Sequence, residues 1–344
     1  MALKPKMRSD IYDNAKFFLI FAVVLGHFAD WYASDSWQMK SLYFFIYSFH
    51  MPAFIWISGL FSKKSIQEKR YARVFSYLVL YFLIKVCMFL SKRLFLGEGE
   101  FSLFSEDHVP WFAFALAVFF LITVWIQNIS PMYCMVFFIA VGCFAGYDAE
   151  LGDTLVLSRI LVYYPFYLAG YYLDPERIAV WSRKIWVRIM GWITLAALAY
   201  ISLFHIEAVY WLRPLLTGRN PFVNLKEYAP YGGIFRFVYY IAVFCIVFSI
   251  LAVVPAKKRF FTRMGRNMLP VYAFHHSLIY AFYGLGGEGL LCFLTPWMPH
   301  IWIVPLSLLI VLFLSMDIWA KITRILTRPP CRKECSPETG AEEA

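Results

Sequence analysis

Ten stretches of mostly apolar residues, separated by short polar segments, recur along the 344-residue sequence and leave no soluble domain of useful size between them. They run approximately from Asn14 to Trp31, Leu42 to Phe61, Val74 to Leu90, Trp111 to Ile126, Met132 to Tyr147, Ile160 to Leu173, Ile189 to Phe204, Gly233 to Val254, Met268 to Gly284 and Ile301 to Ala320. A helix needs about 20 such residues to cross the hydrocarbon core of a bilayer, and within lipid only helices or closed barrels satisfy the backbone. The pattern predicts an all-α polytopic membrane bundle of about ten transmembrane helices. Composition excludes the soluble alternative. The chain is 61% hydrophobic and only 16% charged, against roughly 25% charged in soluble domains, too few charges to cover a globule of this length.

The net charge of +10 raises the question of a nucleic-acid partner. With the N-terminus placed inside, 22 Lys and Arg fall on that side and eight on the other, counting Arg236 at the outer start of its window among the eight, while Lys16 and Lys85 are assigned to the windows themselves. Cytoplasmic loops retain Lys and Arg, so the asymmetry places both termini in the cytoplasm and accounts for the charge without nucleic acid. The N-terminus resembles a signal peptide, but its apolar run of about 18 residues leads to Asp30 and Trp31 instead of a small-residue cleavage site, so a retained first helix is expected. Seven cysteines form no CxxC pair, and four of them, Cys87, Cys134, Cys143 and Cys245, lie in apolar windows as packing residues. Cys331 and Cys335 are read as reduced thiols of a short polar tail. No repeat at a fixed period is visible. Walker, GxSxG, HExxH and GxGxxG signatures are absent.

Ionisable residues inside apolar windows are costly and mark pathways or reaction sites. The first window begins Asp13-Asn14-Ala15-Lys16 and reaches His27 with no intervening charge. Lys16 and His27 share one helix face, separated by roughly 16 Å of rise, and Asp13 stands at the i,i+3 spacing of an ion pair with Lys16. Lys16 snorkelling beside Asp13 explains the lysine well. His27 is either a hydrogen-bonded packing residue or a functional imidazole. Gly26 beside it allows another group to approach, and His50 occurs in the next window. There, His50-Met51-Pro52 predicts a kink or unwound turn that presents polar groups to a cavity. Pro270 to His276 repeats the theme, with one of His275 and His276 facing the bundle. Arg159 opens the sixth window beside Tyr163 and Tyr164, either as an interface anchor or as a ligand for a polar acceptor or developing anion. Lys85, near Lys92 and Arg93, reads as a snorkelling residue.

These residues resemble the ten-helix membrane acyltransferases often called acyltransferase-3, and within them the sugar O-acetylases of the fucose acetylase type. Asp13, Lys16 and His27 match that family's Asp-x-x-Arg/Lys-x10-His pattern, read here through KFFLIFAVVLGH. Further matches, in order along the chain, are HMPAFIWISG at His50 to Gly59, PWF at Pro110 to Phe112, SRILVYYPFYLAG at Ser158 to Gly170, and GRNMLPVYAFHH, whose Tyr272 and His275 fit a Tyr-x-x-His. Met268-Leu269 departs from the family, which usually has Ser before the Leu. The extracytoplasmic hydrolase-like domain of some members is not in the sequence, so a second transfer step would require a partner protein.

The resemblance implies transfer of an acyl group, usually acetyl, from cytoplasmic acetyl-CoA or another acyl-CoA to a hydroxyl of a sugar, glycan or lipid-linked saccharide at the outer face. The membrane domain would occupy residues 1–325, followed by the cytoplasmic tail 326–344, in the inner membrane of a bacterium among its lipids; a homodimer is the candidate assembly, and no metal is expected. Lys16, Arg70 and Arg73 would meet the CoA phosphates, with Lys63 and Lys64 on the same side. His27 would act as general base, its ordinary pKa suiting that work, or would carry the acyl group, with Asp13 orienting Lys16. His50, Ser58, Trp111, Arg159, Tyr272 and His275 would line the acceptor or oxyanion side. The alternative is a secondary transporter or exporter of a sugar, using Asp13, Lys16 and His27 as a polar relay.

Overall fold

The structure, a computed structural model, describes residues 10–102, 109–152, 155–295 and 300–328. The segment 1–9 and the tail from 329 onward, with Lys4, Lys6, Arg8, Cys331 and Cys335, lie outside the described residues. Every apolar window contains a helix, and among the described residues there is no strand. The principal helices are α1 (Asp10–Tyr32), α2 (Trp37–Tyr47), α3 (His50–Leu60), α4 (Ala72–Leu96), α5 (Trp111–Ile126), α6 (Pro131–Phe144), α7 (Leu157–Tyr172), α8 (Ile185–Phe204) and α9 (Gly232–Val253). After these come the short α10 (Thr262–Arg266), then α11 (Met268–Gly284), α12 (Gly287–Leu294), α13 (Ile303–Leu314) and α14 (Asp317–Leu326).

Length divides these helices. Five spans are long and apolar enough to cross a membrane singly, α2 and α3 counting as one, and seven are if the bent pairs α11/α12 and α13/α14 each count as one. Helices α5 and α6 are apolar but shorter, and α7 has 16 residues. Burial sorts them by position. The apolar window of α1 is 78% buried, whereas those of α4 and α8 are 17% buried and show their sides outward. A central α1 wrapped by outward-facing apolar helices is the arrangement expected of a bundle in lipid, and the chain is a membrane protein.

Pro52 and Pro270 act at helix starts, whereas Pro165 lies inside α7. Pro52 and Pro270 are each the third residue of their helix, where the backbone N–H that proline lacks has no helical acceptor. The expected unwound turn before α3 falls at Ser48–Phe49, ahead of Pro52, and Phe49 leaves the helical region there (φ −142°, ψ −26°). Close backbone approach is built from glycine. A Cβ at Gly59 of α3 would overlap the Tyr167 carbonyl of α7, and one at Gly170 would overlap the Trp56 carbonyl, so α3 and α7 meet at the small-residue spacing typical of membrane helices. Lys85 departs from the snorkelling expectation. It is 8% exposed, and its Nζ turns back one turn to donate to the Tyr81 hydroxyl at 3.1 Å.

Candidate active site

Two chambers meet inside the bundle. A polar chamber of about 380 Å³ opens at the Asp30 end of α1, and its wall includes His50, Arg159 and His276. An apolar chamber of about 180 Å³ runs toward the other end, past Ile20, Val23 and Ser58 to Tyr77 and Leu80. His27, Met51 and Trp111 belong to both walls. The half-buried His27 thus stands where a narrow apolar passage joins a wider polar one.

Neighbouring helices fix this junction. The rings of His275 and His276 in α11 approach His27, with centroids 5.2 Å and 4.8 Å away. His275 is fully buried. Its Nδ1–H donates to the Val271 carbonyl at 2.8 Å, which sets the tautomer and leaves Nε2 as the acceptor nitrogen; that nitrogen is buried without a hydrogen-bond partner. His276 lines the polar chamber. Among the described residues, no three His, Cys, Asp or Glu side chains are placed to share a metal ion. His50 donates from Nδ1 to the Ile46 carbonyl at 2.9 Å, across the break between α2 and α3. Arg159, the third residue of α7, is 5% exposed and lies over the Trp111 ring, its guanidinium carbon 5.0 Å from the centroid. Trp111 stacks in turn on Tyr163.

Tyr272 lines the apolar chamber with its ring, but its hydroxyl serves the backbone, donating to the Val109 carbonyl at 2.9 Å and accepting from the Ala113 N–H at 3.1 Å. Both residues bracket Trp111. Ser58 is on the same wall, its hydroxyl donating to the Phe54 carbonyl at 2.8 Å. Met268 and Leu269 also line it, so a thioether stands where the sequence resemblance led one to look for a hydroxyl.

The remaining candidates lie elsewhere. Asp13 and Lys16 are at the opposite end of α1, on neither chamber wall. Lys16 pairs with Asp13 at 3.5 Å as the spacing predicts, and its ammonium also sits 5.3 Å from the Phe61 ring centroid. Asp13 has a second, stronger partner: Arg266 Nε donates to its Oδ2 at 2.8 Å. That bond holds the Arg266 guanidinium above its ordinary pKa, with burial opposing. Gly265 makes the contact feasible, because any Cβ there would overlap the Asp13 carbonyl. Arg70 pairs with Glu68 on the surface. Arg73, exposed one turn before Tyr77 in α4, hydrogen-bonds that residue of the apolar chamber but is not itself on its wall. Of the residues singled out from sequence, His27, His50, Trp111 and Arg159 share the polar chamber, while His27, Ser58, Trp111 and Tyr272 share the apolar one. His275 touches His27 from behind the wall, and His276 takes the wall position.

Sequence reasoning missed Asp30, Arg213 and Arg219, all on the polar chamber wall. The two arginines were counted only as loop charges. Their signal was the side they occupy, since Arg213 and Arg219 fall six residues apart in a loop on the cation-poor face.

Inside this helical membrane bundle, two chambers share His27, Met51 and Trp111 in their walls. The family model described as acyltransferase domain matches residues 10–320, and the chain belongs to this acyltransferase family. It is therefore a membrane acyltransferase. No curated protein and no solved structure matches it.

Proposed function

We propose that the protein transfers an acyl group, most simply acetyl, from cytoplasmic acyl-CoA to a hydroxyl of a saccharide, glycan or lipid-linked sugar in the polar chamber. The observation that carries the reading is the sharing of His27 by both chambers. The Lys and Arg distribution puts the Asp13 end of α1 in the cytoplasm and the polar chamber toward the outer face, in a bundle that crosses the bacterial inner membrane ten times. The shorter helices α5, α6 and α7 would complete that count.

On this reading the anionic end of CoA meets Arg70 and Arg73 and the lysines before them. The thin pantetheine arm lies in the apolar chamber, beside Ser58 and Met268, and carries the thioester to His27. Aromatic side chains of the polar chamber, Trp31, Tyr47 and Trp111 among them, offer apolar faces to a sugar ring. His27 takes the proton from the acceptor hydroxyl as the oxygen attacks the thioester carbonyl. The C–S bond breaks when the tetrahedral intermediate collapses, the ester forms, and CoA leaves as a thiolate that takes up the proton. Arg159, held over Trp111, faces the negative oxygen that develops. Asp13 and Lys16 act at a distance by fixing the cytoplasmic end of α1 against α10.

The test is purified protein in detergent with labelled acetyl-CoA and a panel of saccharides. Acceptor-dependent CoA release with label recovered on the sugar supports the proposal, and no transfer to any member of a broad panel overturns it. A stoichiometric burst of CoA without acceptor would replace the general-base role of His27 by covalent acyl transfer through its imidazole.

A further inference from the structure

Helix α14 leaves α13 at an angle of 64°, and the partners of the bend fix its level in the bundle. Asn267 donates to the Ser315 carbonyl at 3.0 Å and to the Asp317 carboxylate at 2.9 Å, and Arg263 Nε donates to the same carboxylate at 3.1 Å. Asn267 follows Arg266, whose guanidinium holds Asp10 and Asp13 in the first turns of α1. At the other end of α13, Trp302 meets the rings of Phe28 and Tyr32 edge-on. Helix α13 therefore runs antiparallel to α1 and turns aside where α1 begins, at the boundary that the Lys and Arg distribution assigns to the cytoplasm.

Around its own axis α14 has three faces. Trp319 and Thr323 turn to the bundle, Thr323 fully buried and Trp319 packed on Phe274 and Phe313. Ile318, Ile322, Ile325 and Leu326 form a second stripe, at the i, i+4, i+7, i+8 spacing of one helix face, and are 38–73% exposed. Lys321 and Arg324 project from the third face and are exposed as well. Four apolar side chains turned to water would be an adhesive patch. A helix continuing across the hydrocarbon would carry two cations into lipid. One orientation satisfies both faces: the axis lies in the membrane surface, with the bundle beside it, acyl chains beneath and headgroups above.

We propose that α14 lies in the plane of the cytoplasmic membrane surface and binds anionic phospholipid, with Ile318, Ile322 and Ile325 among the upper acyl chains and Lys321 and Arg324 on the phosphates. The long aliphatic stems of Lys and Arg reach from the acyl boundary to the headgroups, and the attraction of basic residues to an anionic leaflet adds to the burial of the apolar stripe. The inference rests on the bundle and its bilayer and stands independently of acyl transfer. Helix α14 is then no part of a span, and the apolar window that ends at Ala320 turns along the surface after Ser315. Because Asn267 and Arg263 fasten Asp317 to the turn between α10 and α11, the membrane surface braces the same junction that Arg266 ties to Asp13.

The test has two parts, both on the full-length protein. Ile322→Cys and Lys321→Cys are each reconstituted in vesicles of phosphatidylglycerol and phosphatidylcholine and treated with a membrane-impermeant maleimide, with wild-type labelling subtracted. The thiol at 321 is expected to react at least about tenfold faster than that at 322, which lies below the headgroups, and the two should react alike once the protein is unfolded in dodecyl sulfate. Equal or reversed labelling in vesicles overturns the in-plane placement. Native mass spectrometry with equal amounts of the two lipids, matched in their chains, reads the headgroup. Each basic residue near an anionic surface favours it roughly fivefold, so the wild type is expected to retain phosphatidylglycerol preferentially and Lys321→Gln with Arg324→Gln to lose at least about that factor. Both side chains are exposed, so their substitution does not threaten folding. No preference in the wild type, or one that survives the double substitution, overturns the lipid assignment. A dimer in the same spectra that Ile322→Glu dissolves gives the apolar face to a second copy of the chain and overturns it as well.

Discussion

Arg266 donates from Nε to Asp13 Oδ2 at 2.8 Å across 253 residues of sequence, and so locks the first helix of the bundle to the short helix that precedes α11. Lys16 attaches to the other oxygen of the same carboxylate. A carboxylate with no exposed surface is thus held between two cations, one half-exposed and one buried. Since α1 and α11 supply His27, His275 and His276, this tie sets how the histidines meet, about four helical turns away along α1.

Asp13→Ala strands the buried Lys16 ammonium and frees Arg266. Breaking a buried pair by removing one partner costs about 3–5 kcal/mol, and the partial exposure of Arg266 puts the expectation near the lower figure. Arg266→Gln leaves the Asp13–Lys16 pair standing and should cost less. Thermal melting in detergent is expected to rank the proteins wild type, Arg266→Gln, Asp13→Ala in falling order; equal midpoints would show that the triad does not hold α1.

Replacement of His27 tests the junction itself. His27 is half-buried and borders two cavities, so His27→Gln changes little packing and keeps a hydrogen-bonding group. Loss of a positioned general base slows a reaction about 10²–10⁴-fold. The variant is expected to retain its melting midpoint and to lose acyl transfer by that factor, measured as label on the saccharide. Full activity would remove His27 from the mechanism.

The limits of what could be read from sequence follow from where each signal resides. The helices were legible because apolar length is a local property: windows at Trp111 to Ile126 and Met268 to Gly284 coincide with helices of the same bounds. The Asp13–Lys16 pair was legible for the same reason, as an i,i+3 spacing. Arg266 was not, because nothing near it in sequence shows that Gly265 packs on the Asp13 carbonyl. Arg213 and Arg219 were hidden in the same way. Their loop reaches the chamber only through hydrogen bonds from Ser158, Tyr163 and Arg236, 53 residues distant in the case of Tyr163. Pro52 announced a break inside its window, Leu42 to Phe61, but could not show that α3 begins two residues before it.

The apolar chamber can be blocked without touching the polar one. Ser58 lines only the former and is partly exposed to it. A ring at this position would fill much of a cavity of about 180 Å³. Ser58→Phe is expected to lower kcat/KM for acyl-CoA at least about tenfold, a loss of roughly 1.4 kcal/mol of transition-state stabilisation. Binding of saccharides to the polar chamber should be retained. If donor kinetics are unchanged, the acyl-CoA arm does not run through this chamber.

Tyr272 separates a positioning role from a catalytic one. Its hydroxyl is occupied by the Val109 carbonyl and the Ala113 N–H, the two residues that bracket Trp111, and Trp111 belongs to both chambers. Tyr272→Phe keeps the ring on the chamber wall but leaves those buried backbone groups short of a partner, at about 1–3 kcal/mol. The melting midpoint should fall, and KM for donor and acceptor should rise together as Trp111 loosens, with kcat changed less. A hydroxyl that donated to the reacting oxygen would give the opposite pattern, an unchanged midpoint and KM with kcat reduced. Steady-state kinetics on both substrates, set beside melting of the same preparation, therefore decides whether the Tyr-x-x-His of α11 acts on the substrate or on the wall that holds it.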